Sequence, residues 1–206
     1  MNPHCMTVGG VDVSRETFAK LQYLTTLITK WTRSINLIAP KSVPEIWDRH
    51  IVDSAQVYNC APTNWTHWLD LGSGGGLPGL VIAILDQDQR PITLVEGDKR
   101  KCLFLSNARR ELGLNVQIIN DRIENVEIGD ADVLSARALA PLPDLLTFSD
   151  NLLMPSGTAI FPKGARFQDE LDQAGRAWHF EARAHKSLTN PDSRVLEISR
   201  IHRRES

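Results

Sequence analysis

Ten consecutive residues, Asp70-Leu71-Gly72-Ser73-Gly74-Gly75-Gly76-Leu77-Pro78-Gly79, carry the strongest chemical signal in this chain. Their glycines let the main chain turn sharply and let a ligand approach backbone where any Cβ would clash. Gly74, Gly76 and Gly79 also spell GxGxxG, a pattern that does not by itself choose a ligand. A dinucleotide would set a doubly negative pyrophosphate over this turn, and the carboxylate of Asp70 would repel it. S-adenosylmethionine brings a sulfonium and an ammonium and no phosphate, so Asp70 suits it better. Glu96, 24 residues after Gly72, can accept hydrogen bonds from two ribose hydroxyls, which fits either cofactor. In Asp121-Arg122-Ile123-Glu124, Ile123 offers an apolar face to an adenine ring. Glu124 is open to a place beside the cofactor or to a capping or surface role.

Such a loop works only between a strand and a helix, and the surrounding pattern supplies both. Short apolar runs at Trp68–Leu71, Ile92–Val95, Val116–Ile119, Val133–Ala136 and Thr158–Phe161 predict strands, with helix-period segments at Gly79–Leu85, Lys99–Leu112 and Leu142–Leu153 between them. That alternation means repeated βαβ units and a parallel sheet. Pro78 suits a helix start, where its missing amide hydrogen costs nothing. The ending breaks the rhythm: Trp178–Lys186 and Arg194–Ile201 are strand-like and predict a terminal antiparallel hairpin. Ahead of the sheet, Phe18, Leu21, Leu24, Ile28 and Trp31 recur at helical spacing behind a candidate cap at Ser14, and a second helix is predicted over Pro44–Tyr58. The expected fold class is α/β, a Rossmann-like sheet closed by a hairpin, with a helical extension over residues 1–62 before a unit spanning 63–206.

With 206 residues, 42% hydrophobic and 23% charged, the chain belongs with globular proteins rather than disordered ones. The longest apolar run, Leu80–Leu85, is far short of the roughly 18 residues that suggest a membrane span. Nothing at Met1–Gly10 resembles a secretion signal, and Cys5, Cys60 and Cys102 are too scattered for a disulfide framework or a zinc site. A cytoplasmic protein without metal and without membrane contact is expected. A net charge of −2 provides no global basic field for nucleic acid, although Lys99-Arg100-Lys101, Arg109-Arg110 and Arg203-Arg204 are local basic clusters. No Ser/His/Asp or paired-carboxylate constellation stands out. Arg49, His50 and Asp53 share the second predicted helix, where an Arg49–Asp53 pair is the ordinary expectation. Arg137 and Lys163 each follow a predicted strand end, where ligands of open α/β sheets collect.

Several pieces in this order resemble the bacterial small-subunit ribosomal RNA methyltransferase G family, also called glucose-inhibited division protein B. They are Trp31 with Asn36-Leu37, Arg49 to Ser54, Asp70 to Gly79, Arg122-Ile123-Glu124, Ser135 with Arg137-Ala138, and Lys163-Gly164. The resemblance covers nearly the whole chain. Thr32, Ile35 and the run Ser73-Gly74-Gly75-Gly76 depart from the family's usual residues. It implies methyl transfer from S-adenosylmethionine to nitrogen 7 of a guanine in 16S rRNA of a small ribosomal subunit particle, with no obligate protein partner. It implies that Gly72, Leu77, Ile123, Glu124 and Arg137 meet the cofactor. Added from the residues themselves are Asp70, Gly74, Gly76 and Glu96 at the cofactor, and His50, Arg137 and Lys163 toward RNA. Guanine nitrogen 7 carries no proton, so no general base is expected. The alternatives are a methyltransferase for a small molecule or a protein, a nicotinamide-dependent dehydrogenase, and a cofactor-binding module without catalysis.

Overall fold

The computed structural model describes residues 6–128 and 131–204, so Cys5 lies outside the described residues. Two short strands, β1 (Met6–Val8) and β2 (Val11–Val13), form a hairpin around Gly9-Gly10, with φ of +60° and +86°. Helix α1 (Arg15–Thr32) follows, and the Ser14 hydroxyl accepts from the Thr17 amide as its cap. Its spacing is the predicted one: Leu21, Leu24, Leu27 and Ile28 are buried along one face.

The second predicted helix, over Pro44–Tyr58, forms only in part. Pro44 cannot supply an amide to a continuous α-helix, and a 3₁₀ turn over Pro40–Glu45 leads into a π-turn over Trp47–Val52 before α2 (Asp53–Asn59) begins. The Arg49–Asp53 pair does not form either. Arg49 bonds Glu45 at 3.1 Å, and Asp53 lies 3.5 Å from Arg137 instead.

The main sheet begins at β3 (Trp68–Leu71) and moves outward through α3 (Gly79–Leu85), β4 (Ile92–Val95), α4 (Lys99–Leu112) and β5 (Val116–Ile119). It then returns to the other side of β3 with β6 (Ala131–Ala136), α5 (Leu142–Leu152) and β7 (Leu153–Lys163). Helix α6 (Phe167–Ala174), which the sequence pattern did not suggest, precedes the hairpin β8 (Trp178–Lys186) and β9 (Arg194–Arg203). The order is β5-β4-β3-β6-β7-β9-β8; the first five strands are parallel, and β9 is antiparallel to both neighbours. Strand direction of travel reverses between β3 and β6, so the crevice beyond their carboxyl ends is where a ligand of such a sheet belongs.

Alternate residues of each strand feed opposite cores. Trp68, Ile92, Leu94, Val133 and Ile160 face one core, which also contains Leu24, Ile28, Ile51 and Val57 from the N-terminal helices. Leu69, Val95, Leu134, Phe161 and Leu196 face the other, under α5 and α6. The helical preface therefore packs into the same core as α3 and α4. None of the described helices is long and apolar enough to cross a membrane.

Candidate active site

At the end of β3 the chain turns through Gly72, Gly74 and Gly76 at φ of +61°, +54° and +76°, a region that favours glycine. The turn is held from beneath by Asp70, which is 0% exposed. One of its oxygens accepts from the Ser135 hydroxyl at 2.7 Å, the other from the Gly79 amide at 3.2 Å at the start of α3. Trp68 in turn donates its indole N–H to Ser135 at 2.9 Å, which ties β3 to β6 below the loop. Burial pushes the Asp70 carboxyl up to about 6, against the pull of the Ser135, Ser73 and Gly79 hydrogen bonds. Asp70 thus meets the loop rather than the open cleft, and direct contact with a cationic ligand is replaced by support of the backbone that would hold it.

Glu96, at the end of β4, has a similar duty. Its carboxylate accepts the Gly74 amide at 2.8 Å and the Asp98 amide at 2.8 Å, joining the glycine loop to the start of α4. A carboxylate has about four acceptor positions, so both oxygens keep capacity for further donors. Glu96 and Gly72 line an open cleft of about 530 Å³ together with Lys101, Asp121, Ile123, Glu124, Arg137 and Phe148. That volume lies within the roughly 300–1,000 Å³ of small-molecule sites. Gly74, Gly76 and Leu77 stand behind this lining. A Cβ on Gly76 would fall 2.3 Å from Leu80, and one on Gly72 would fall 2.7 Å from Leu139, a residue of the cleft wall.

The segment Arg137–Ala140 after β6 is a wall with a second cleft, of about 550 Å³, on its other side. Ala138 holds this wall at φ +52°, an uncommon conformation for a residue with a side chain. His50, Asp53, Lys163, Glu170 and Arg194 line the second cleft. Arg137 is pinned by three groups of the preface: its guanidinium donates to the Arg49 carbonyl at 3.2 Å and to His50 Nδ1 at 3.0 Å, and it faces Asp53. Asp53 also accepts from Thr189 at 3.2 Å, and Gln56 accepts the Leu188 amide at 2.6 Å, so the β8–β9 turn is latched to α2. Burial, with Arg137 and Arg49 nearby, drives the His50 pKa down to about 4, and the ring is neutral.

The three residues expected to face RNA, His50, Arg137 and Lys163, meet at this second cleft. Lys163 is already engaged there. Its ammonium, 9% exposed, donates to Glu170 at 2.7 Å and to the Ala140 carbonyl at 3.0 Å. Arg194, which the sequence reading did not single out, bonds only the Pro191 and Ser193 carbonyls, lies over the Phe167 ring at 5.1 Å, and has no carboxylate partner among the described residues. Its one sequence signal was its position at the first residue of the predicted last strand. Phe148 and Leu139 gave none, because their part in the site depends on where α5 packs. Among the described residues no cluster of three or more His, Cys, Asp or Glu could hold a metal ion.

A sheet reversing at a glycine loop, an acidic residue ending the next strand and a closing antiparallel hairpin define a class I S-adenosylmethionine-dependent methyltransferase fold. Solved structures agree on the fold. The ribosomal protein L11 methylase of Lactobacillus delbrueckii subsp. bulgaricus is 17% identical with a TM-score of 0.61, over 75% of this chain and 79% of that one. An O-methyltransferase from Bacillus cereus in complex with SAH is 11% identical with a TM-score of 0.60, over 88% and 90%. The family model described as rRNA small subunit methyltransferase G matches residues 17–196. A curated relative from Ruegeria sp. (strain TM1040), called ribosomal RNA small subunit methyltransferase G, is 47% identical over 94% of this chain and 95% of its own length. One of the same name from Paracoccus denitrificans (strain Pd 1222) is 46% identical over 92% and 97%. The chain belongs to the rRNA small subunit methyltransferase G family.

Proposed function

We propose that this chain transfers a methyl group from S-adenosylmethionine to nitrogen 7 of a guanine in 16S rRNA, and that it takes the RNA as part of a small ribosomal subunit particle in the cytoplasm, without an obligate protein partner. The observation that carries this is the pair of clefts sharing the Arg137–Ala140 wall, one beside the glycine loop and one beside the preface and hairpin. A cofactor in the first and a base in the second would meet at that wall.

The first cleft fits the cofactor by shape and hydrogen-bonding capacity. Gly72 leaves room that a Cβ would take, Glu96 retains acceptor capacity for ribose hydroxyls, and Ile123 supplies an apolar face beside Glu124. Three carboxylates, of Glu96, Asp121 and Glu124, and three cations, of Lys101, Arg122 and Arg137, line it, which suits a ligand that carries both an ammonium and a carboxylate. When bound, S-adenosylmethionine supplies a methyl group made electrophilic by its sulfonium. Guanine nitrogen 7 has an in-plane lone pair and no proton to lose, so the chain needs to hold no proton acceptor there. The work of the residues is alignment, worth roughly 7–11 kcal/mol where the reacting atoms are well placed, and exclusion of water. Arg137, pinned on three sides, fixes the wall against which both partners would rest. In the second cleft Arg137 and Lys163 are already ion-paired, which leaves Arg194 as the cation available to an RNA phosphate or base edge.

A net charge of −2 gives little capture of free RNA, so folded shape must supply much of the recognition. Labelled methyl transfer from S-adenosylmethionine should therefore be faster to protein-bearing small subunits than to naked 16S rRNA. The loss with salt should be shallow, since each phosphate contact contributes roughly 0.7–0.9 to the slope of log affinity against log salt. Mass mapping of the product should place the label on a guanine. Transfer to metabolites or proteins but not to ribosomal particles would overturn the assignment.

A further inference from the structure

We propose that Ser42 is a positioning residue for methyl transfer: it fixes the tautomer of His50 and thereby aims Arg137, the one charged side chain that lines both clefts. The proposal rests on the two-cleft reading above. It arises from a chain of hydrogen bonds whose direction is fixed at each link. The Arg137 guanidinium has donors and no acceptor, so His50 Nδ1, 3.0 Å away, must present its lone pair. A neutral imidazole then carries its hydrogen on Nε2, and that hydrogen needs an acceptor. Ser42 Oγ stands 2.8 Å from Nε2. Its own hydrogen goes to the Ala39 carbonyl at 2.8 Å, which leaves its lone pairs to receive His50. The direction of donation is therefore single, from Arg137 to His50 to Ser42 to Ala39, and such chains reinforce one another.

The surroundings explain why the hydroxyl matters. Ser42 is 3% exposed, so water does not readily replace it as the acceptor. Without it, the Nε2 hydrogen would lose its protein acceptor, or the other neutral tautomer would set an N–H against the guanidinium of Arg137. Either outcome loosens Arg137 from the preface, which leaves the shared wall less firmly held. The 3₁₀ turn over Pro40–Glu45 is what delivers Ser42 to this position, eight residues before the histidine it serves. Ser42 itself lines neither cleft and acts only through His50.

The test combines a spectroscopic arm with a double-mutant cycle in the full chain. Nitrogen-15 NMR of histidine-labelled protein should show His50 as the Nε2–H tautomer, and Ser42→Ala should remove that single signature while Ser42→Thr restores it. In the second arm, His50→Asn offers an amide oxygen near the Nδ1 position and makes Arg137 independent of Ser42. Ser42→Ala should then lower cofactor affinity by calorimetry, and methylation of small subunits, by roughly tenfold in the natural background but less than twofold in the His50→Asn background. An unchanged tautomer in Ser42→Ala, or an equal loss in both backgrounds, would overturn the proposal. Failure of the unaltered protein to methylate small subunits would sink the functional assignment instead, while the NMR and cofactor-affinity arms would still decide the role of Ser42.

Discussion

Around the glycine-loop cleft, polar contacts run from main-chain amides of Gly74, Gly79 and Asp98 to the carboxylates of Glu96 and Asp70. Around the neighbouring cleft the donors are mostly side chains, those of Arg137, Lys163, Thr189 and Arg194, and they reach His50, Asp53, Glu170 and nearby carbonyls. A site built on backbone tolerates changes in many side chains but not a change in local conformation. A site built on side chains depends on each partner's charge and hydrogen-bond direction. On the assignment proposed above, the first arrangement would serve a cofactor common to many enzymes and the second a substrate that must be told apart from all others.

The largest expected break falls on the backbone-built side. Gly72→Val should reduce S-adenosylmethionine affinity by more than a hundredfold in calorimetry, because its Cβ would lie 2.7 Å from Leu139 and its φ is +61°. Gly74→Ala sharpens the contrast. It has the same kind of φ, +54°, but its Cβ meets nothing closer than the Gly72 carbonyl at 3.7 Å, so the loss should be only the roughly 1–2 kcal/mol of the left-handed conformation. Comparable losses in both variants would mean that conformation, not space, governs the loop.

On the other side, Arg194 and Lys163 should part company. Arg194→Ala should raise KM for small subunits by about tenfold with cofactor affinity unchanged, because it removes a cation without an acidic partner. Lys163→Ala should instead cost about 2 kcal/mol of stability by removing a buried ammonium from Glu170 and the Ala140 carbonyl and leaving Glu170 only the Leu142 amide, a fall in Tm of about 4–8 °C in thermal unfolding. A Lys163→Ala protein with normal Tm and impaired RNA binding would reverse these assignments.

The smallest effect concerns pH. His50 is held at about 4 in the folded chain, below its ordinary 6.5, so the unfolded chain takes up a proton that the folded one refuses. Its contribution to stability is complete above about 6.5 and is lost as pH falls toward 4. Asp70, raised to about 6, works oppositely: its contribution is present near its ordinary 3.8 and is lost as pH rises through 6. Urea midpoints at pH 7 and pH 5 should therefore show the natural protein losing about 1 kcal/mol more than His50→Asn over that interval, after allowance for solvent screening. An identical pH response in the two proteins would remove His50 from the titrating groups.

Legibility in the sequence follows the same division. The glycine loop, Glu96 and Ile123-Glu124 could be read because each acts from a fixed offset after a strand, and strands announce themselves as apolar runs such as Ile92–Val95. The parallel strands and the closing hairpin were legible for the same reason. Three features were not. The β1–β2 hairpin is signalled only by Gly9-Gly10 between short polar-apolar alternations, a two-residue turn that is easily passed over in three-residue strands. The π-turn over Trp47–Val52 has helical periodicity, so nothing local separates it from the α-helix expected there. The Arg137–Asp53–Thr189 linkage joins residues 84 and 136 positions apart, and its partners are chosen by packing rather than by spacing. Asp70 shows the limit from the other direction: its position was legible and its burial was not, since depth beneath a loop depends on Trp68 and Ser135 from two different strands.

The latch between α2 and the β8–β9 turn also bears on how the enzyme comes into being. Synthesis proceeds from the amino end, and the glycine loop with its supporting strands β3, β4 and β6 is complete once residue 136 has been made. The neighbouring cleft takes part of its lining from Ser193, Arg194 and Val195, and its latch needs Thr189 to meet Asp53, so it stays incomplete until the last strands have left the ribosome. The first cleft takes no lining residue beyond Phe148, so a nascent chain holds all of that lining well before it holds all of the second cleft's.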